Sequence, residues 1–315
     1  MPKNKFLTAI EEGDLQTVKT LLLNPDNNKF DMEGALITAA DYGHIEIVQF
    51  LIENNTDINH INSTKDTALM LAAEQGHTEI VNLLITNGAN VNHINNTKDT
   101  ALTLSIEQGH ENIVKILITN GANVNYINKD YDTPLLLATK KGYIKIVNLL
   151  ITNGTNINYI NKNDDTALLL AAEQGHTEIV NLLITNGANV NHKNEINGDH
   201  TALTLAAEQG HTEIVNLLIT NGANVNHKTK FGNTALTKAA KNGHLNVVDL
   251  LIANGADINQ INLRGETALI RAQKQKHTKV EKILTKQCSL ESNKNEINAT
   301  NYNNKPSIKV TVLLY

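Results

Sequence analysis

The chain has 315 residues, 41% hydrophobic, 19% charged and only 3% aromatic, with no tryptophan and four prolines. That length suits two domains or one elongated one, and the shortage of aromatic bulk calls for a core of Leu, Ile, Val and Ala. A net charge of -5, from 27 basic and 32 acidic residues, argues against a general polyanion binder. A single cysteine, Cys288, excludes an internal disulfide framework or a thiolate zinc site and fits a reducing compartment. The apolar runs are too short for a bilayer span, and Met1 to Lys5 leads into no secretory apolar stretch, so cytoplasmic residence is the default expectation.

The chain repeats itself. Gly-His recurs at Gly43-His44, Gly76-His77 and Gly109-His110, continues as Gly142-Tyr143, Gly175-His176, Gly210-His211 and Gly243-His244, and ends as Lys276-His277. Successive spacings are 33, 33, 33, 33, 35, 33 and 33 residues, and a weaker match at Gly13 precedes the series by 30. Nine units follow in order: a capping unit over 3–31, units at 32–64, 65–97, 98–130, 131–163, 164–198, 199–231 and 232–264, and a second capping unit over 265–287.

Residues 65–97 show what one unit builds. Thr67 caps a first helix that runs through Ala68 to Ala73, and Gly76 closes it in the left-handed conformation. A second helix from Thr78 turns Ile80, Val81, Leu83, Leu84 and Ile85 inward and leaves Glu79, Asn82 and Thr86 outside, until Gly88 ends it. Ala89 to Asp99, rich in Asn, Lys and Thr, forms an extended finger with a turn at its tip. No unit can bury both faces of its helix pair alone, so the units stack. The ends are polar: Glu11, Glu12, Gln16, Thr17 and Lys19 mark the first unit, and Glu281, Thr285 and Lys276 replace Val81, Ile85 and Gly76 in the last. The finger between His192 and Thr201 is two residues longer than its counterparts. Residues 288–315 read as a polar, disordered tail. Its end, Ile308 to Tyr315, has strand propensity and could join a partner's sheet edge, fold back on the cap or be a remnant.

The string Thr-Ala-Leu-x-x-Ala-Ala-x-x-Gly-His-x-x-Ile-Val-x-Leu-Leu-Ile-x-Asn-Gly-Ala-Asn-Val-Asn, clearest from Thr67 to Asn92, resembles the ankyrin repeat family over residues 3–287. The resemblance implies an all-α fold, an α-solenoid of helix-turn-helix repeats with short β-hairpin-like fingers, and a concave surface made by fingers and first helices. The family favours Thr-Pro-Leu-His at the first helix; here proline occurs only at Pro134, and Met70, Thr103, Leu136, Leu169, Thr204, Thr237 and Ile270 replace the histidine. The hydrogen bonds that histidine would make in the fingers are therefore missing. Three 23-residue stretches, Leu71–His93, Leu170–His192 and Leu205–His227, are identical and point to recent duplication. Asparagine, at about 15% of the chain, reads as a trace of AT-rich coding DNA.

Twelve histidines invite a metal reading, but seven belong to the Gly-His ladder and four more, His60, His93, His192 and His227, to a second one. Rungs roughly 8–10 Å apart cannot share an ion whose nitrogens lie about 2 Å away. No nucleophile elbow, phosphate loop, His-Glu-x-x-His or dinucleotide fingerprint occurs, and carboxylates such as Glu74 and Glu79 recur at equivalent places. Cys288 reads as a spectator thiol. The expectation is no enzyme, no cofactor and no metal.

The surface remains. The positions after Ala-Ala and the finger tips are mostly acidic or neutral, and the unit from Tyr131 departs from this. Candidate partner-binding residues are Tyr126, Tyr131, Asp132, Lys140, Lys141 and Tyr159, since tyrosine and cationic groups suit interface centres. The competing reading is an older copy that escaped duplication. The expected function is a monomeric, non-catalytic scaffold holding another protein on its concave face, without nucleic acid or membrane as a partner. The alternative is an adaptor that brings a bound partner to an enzyme through its C-terminal tail.

Overall fold

The structure is a computed structural model and describes residues 5–23 and 30–303. It divides into two compact blocks, Met1–Asn189 and Val190–Tyr315. In the first, the leading helices of successive repeats are α1 (Lys5–Glu12), α3 (Met32–Tyr42), α5 (Ala68–Gln75), α7 (Ala101–Gln108), α9 (Pro134–Lys141) and α11 (Ala167–Gln174). Their partners are α2 (Leu15–Leu22), α4 (Ile45–Glu53), α6 (Thr78–Thr86), α8 (Glu111–Thr119), α10 (Ile144–Thr152) and α12 (Thr177–Thr185). The second block holds a short pair of strands, β1 (Lys193–Asn194) and β2 (His200–Thr201). Its helices are α13 (Ala202–Gln209), α14 (Thr212–Thr220), α15 (Ala235–Asn242), α16 (Leu245–Ala253), α17 (Ala268–Lys274) and α18 (Thr278–Asn303). Within each block every leading helix packs on the next leading helix, and every second helix on the next second helix. The chain is an all-α repeat solenoid.

Local sequence sets each boundary. Thr67, extended at φ -96° and ψ 165°, accepts from the Met70 amide, and Thr100, Thr133, Thr166, Thr201, Thr234 and Thr267 do the same for their helices. Ala72 and Ala73 are fully buried, which lets neighbouring leading helices approach closely. Ile80, Val81 and Leu84 of α6 are likewise buried, each contributing roughly 1.5–3 kcal/mol against an exposed side chain.

The Gly-His pair joins one repeat to the next. Each such histidine opens a second helix yet makes no capping bond there. Most of the rings reach back one repeat instead: Nε2 of His44, His77 and His110 donates to the carbonyls of Glu11, Asp41 and Glu74 at 2.9–3.0 Å. His244 and His277 do the same to Glu208 and Lys241, whereas Nε2 of His176 bonds Gln174 Oε1 in its own repeat. A Cβ on Gly76 would lie 2.7 Å from His110 Cε1, so this glycine serves both its own left-handed turn and the neighbour's ring. Tyr143 takes the histidine's place over Gly109. Lys276 keeps the left-handed turn at φ 61° without glycine.

Asparagine proves to be structural, which corrects the reading of its abundance as coding bias alone. Asn59, Asn92, Asn125, Asn158, Asn191 and Asn226 each span to the following repeat twice. Nδ2 donates to the carbonyl of Gly88, Gly121, Gly154, Gly187, Gly222 or Gly255 at 2.9–3.3 Å. Oδ1 accepts the backbone amide two residues further on at 2.7–2.9 Å. A primary amide carries its donor and its acceptor on separate atoms, so one short side chain can make both bonds at once. A second set closes the fingers. Asn95 Oδ1 accepts from the Thr97 and Asp99 amides, and Asn128 and Asn161 repeat the pattern. These bonds fix the tips that the missing family histidine would otherwise hold. At Thr103, Thr204 and Thr237 the hydroxyl that replaces it completes a capping box.

Fingers are hairpin-like through a single bond such as Asn95 N to Asp99 O, and among the described residues only the longer finger forms a true strand pair, Lys193 with Thr201 and Asn194 with His200. The end of the array also differs from expectation. Helix α18 runs unbroken past Gln287 to Asn303, where a disordered tail was expected from 288. Cys288 stands where Gly88 ends the equivalent helix, and no proline intervenes before Pro306. The strand-prone Ile308 to Tyr315 lies outside the described residues.

Two substitutions test these ties. Gly76→Ala and Gly88→Ala both force an L-residue to positive φ, at about 1–2 kcal/mol, but nothing lies within 4 Å of a Cβ at Gly88. Chemical denaturation should therefore show Gly76→Ala losing about 1 kcal/mol more, the worth of the displaced His110 bond; equal losses would remove the histidine from the account. Asn92→Ala should cost about 1–2 kcal/mol through two lost bonds, and a change near zero would show that solvent replaces them.

Candidate functional site

Within each block, finger tips and the last turns of the leading helices share a surface, because a side chain from the helix reaches the tip of its own finger. Lys140 Nζ lies 2.5 Å from Asp132 Oδ2, and Arg271 Nη1 lies 2.9 Å from Glu266 Oε2. This surface is acidic over the early repeats. Glu74 has its carboxyl pushed up by burial first and then by Asp66 and Asp41, and Glu107 by burial and Asp99.

The six candidate residues divide into two groups. Tyr126 is half-buried and donates from its hydroxyl to the Lys98 carbonyl at 3.0 Å. Tyr159 does the same to the Tyr131 carbonyl at 3.1 Å. Both occupy the second histidine ladder, where His93 bonds the Lys65 carbonyl and His227 that of Asp199. Burial raises both phenols, helped by Asp99 and Asp132 respectively, so these hydroxyls stay donors. Asp132, only 4% exposed, is shared between Lys140 and the Asn161 amide, which donates at 2.9 Å. These four side chains hold fingers together. Tyr131 and Lys141 face outward. Tyr131 is 54% exposed at φ 64°, and Lys162 Nζ sits 5.2 Å from its ring centroid. Tyr143, which lies between Tyr131 and Tyr159 in sequence, belongs to the Gly-His ladder.

Other candidates for chemistry resolve in the same way. The rings of His44, His77, His93, His110, His227, His244 and His277 are spent on backbone carbonyls, and among the described residues no three His, Cys, Asp or Glu side chains converge as metal ligands would. The Cys288 thiol is pushed up by burial and then by Glu291, which keeps it protonated.

A family model for ankyrin repeats in three copies matches residues 6–95, 90–161, 146–229 and 203–301. The chain belongs to the ankyrin repeat family. The human ASB11 ankyrin repeat domain is similar at 30% identity with a TM-score of 0.62, over 70% of this chain and 97% of that one. Among curated proteins none matches significantly in sequence. Ankyrin repeats are in general protein–protein interaction modules, and the ankyrin fold is typically a non-catalytic scaffold. No helix among the described residues is long and apolar enough to cross a membrane.

Sequence reading missed a basic cluster in the second block of this ankyrin chain. Lys238 and Arg271 stand where Leu71, Leu104, Leu137, Leu170 and Leu205 stand in earlier repeats, and Lys241 where Glu74 and Glu107 stand. Aligning repeats on Thr67, Thr234 and Thr267 would have exposed these exchanges. Glu266 anchors the cluster. Its bonds to Lys274, then Asn262 and Arg271, outweigh the opposing effect of burial and hold its carboxyl at about 2, against 4.5 ordinarily. A depressed carboxyl stabilises the fold above its unfolded value and loses that effect as the pH falls through its folded value. The stability gap between wild type and Glu266→Gln should therefore be full above pH 5, narrow from 4.5 downward and close near 2 in denaturation midpoints. A gap constant across that range would contradict the assignment.

Proposed function

We propose that this ankyrin chain is a monomeric, non-catalytic scaffold of the cytoplasm that holds another protein on the concave face of fingers and leading helices, with the repeat from Tyr131 as the docking point. The observation that carries the reading is the rigid exposure of Tyr131. A bulky residue at positive φ is costly, and this one is held by its own amide bonding Asn128 O at 3.1 Å and by the Tyr159 hydroxyl on its carbonyl. An aromatic ring fixed in advance, with Lys162 over it and Lys141 exposed, loses little entropy when covered. Tyr126, Tyr159, Asp132 and Lys140 act as its supports, through the finger ties and the buried pair.

Tyr131→Asn with Lys141→Ala removes the outward groups while keeping a residue that tolerates positive φ and leaving the Asp132–Lys140 pair intact. Quantitative affinity capture should lose at least tenfold of a specific prey with the variant, at unchanged helicity. Recovery equal to wild type would refute the docking point.

A further inference from the structure

In the second block, between the last fingers and leading helices, lies a groove of about 470 Å³. Its mouth is apolar. Phe231 and Leu263, at successive finger tips, are 62% and 77% exposed, and the Leu263 amide donates to the Phe231 carbonyl at 3.0 Å, which holds the two tips side by side. Thr64, Thr97, Asp130 and Asn163 occupy the Phe231 position in other repeats, and Ser63, Asn96, Lys129 and Lys162 that of Leu263. The pair of large apolar tips is peculiar to this end.

The walls are cationic. Lys238, Lys241, Arg264 and Arg271 line the groove, and no carboxylate does. The acids close behind are committed: Glu208 to Lys238 at 2.7 Å, and Glu266 to Arg271 and Lys274. Among the described residues no carboxylate pairs with Lys241 or Arg264. Five cations against two carboxylates make this end positive in a chain of net charge -5.

We propose that this groove binds an acidic peptide segment of a partner protein, its carboxylates on Lys238, Lys241, Arg264 and Arg271 and an apolar side chain between Phe231 and Leu263. Charge complementarity selects an acidic chain, and the apolar mouth selects a peptide over an inorganic polyphosphate, which has no apolar group to fill it. The site is separate from the Tyr131 docking point and does not depend on it.

The test uses the full chain and a fluorescein-labelled peptide of fourteen residues, acidic throughout except for a central Leu-Phe pair, in fluorescence anisotropy at low salt. Lys241→Glu with Arg264→Glu should weaken binding at least tenfold, Leu263→Ser should weaken it severalfold, and Tyr131→Asn should leave it unchanged. Lys241→Gln with Arg264→Gln gives a milder pair should charge reversal disturb folding, and melting curves confirm the fold. Replacing the peptide's acids by lysine should abolish binding, and replacing Leu-Phe by Ser-Ser should weaken it. Equal affinity of wild type and the glutamine pair would overturn the proposal. So would an oligouridylate that binds as tightly as the peptide with the same sensitivity to these variants.

Discussion

Each repeat is incomplete without the one beside it. A pair of helices of eight or nine residues has apolar surface on two sides, and only a neighbour can cover it. Alanine at the closest approach sets the spacing, and that spacing then allows every other tie between repeats. At this distance a histidine can reach the carbonyl behind the preceding glycine, and an asparagine can grip the next backbone with both ends of its amide. The packing brings the backbones together, and the polar ladders fix their register.

This division of labour decides which residues are left for recognition. A polar side chain that recurs at one place in every repeat is occupied by its neighbour, as Asn92, His93 and His110 are. Even conspicuous departures can be absorbed: Tyr126 and Tyr159 substitute for histidine and make its bond from a phenol. What faces outward is a side chain that departs from the pattern and ties nothing down, such as those of Tyr131 and Lys141 in the first block, or Phe231 and Leu263 in the second. The surface of fingers and leading helices therefore differs from repeat to repeat while the scaffold beneath does not. It is acidic where Glu74 and Glu107 stand and basic where Lys241 and Arg271 stand.

Much of the architecture was legible in sequence because it is local. The spacing of Gly-His, the threonine caps and the left-handed glycines each act within a few residues of themselves, and the structure places them as the pattern implies. The end of the array was misjudged for a related reason. Polarity suggested disorder after Gln287, yet a helix stops where something stops it, and Cys288 lacks the conformational freedom of the glycine it replaces.

The candidate site was less legible, because a side chain's availability depends on what the adjoining repeat brings to it. Asp132 and Lys140 look like an exposed charged pair in sequence, but eight residues of chain fold them onto each other and Asn161 arrives from the next finger. Composition and period alone determined a stacked, all-α array with capped helices and an aromatic-poor core, since those follow from short-range sterics and the need to bury one face. Only the tertiary structure decided which tyrosines are ties and which one is free, and that Lys238, Lys241, Arg264 and Arg271 line one groove beside two apolar tips, because these outcomes rest on contacts some thirty residues apart in sequence.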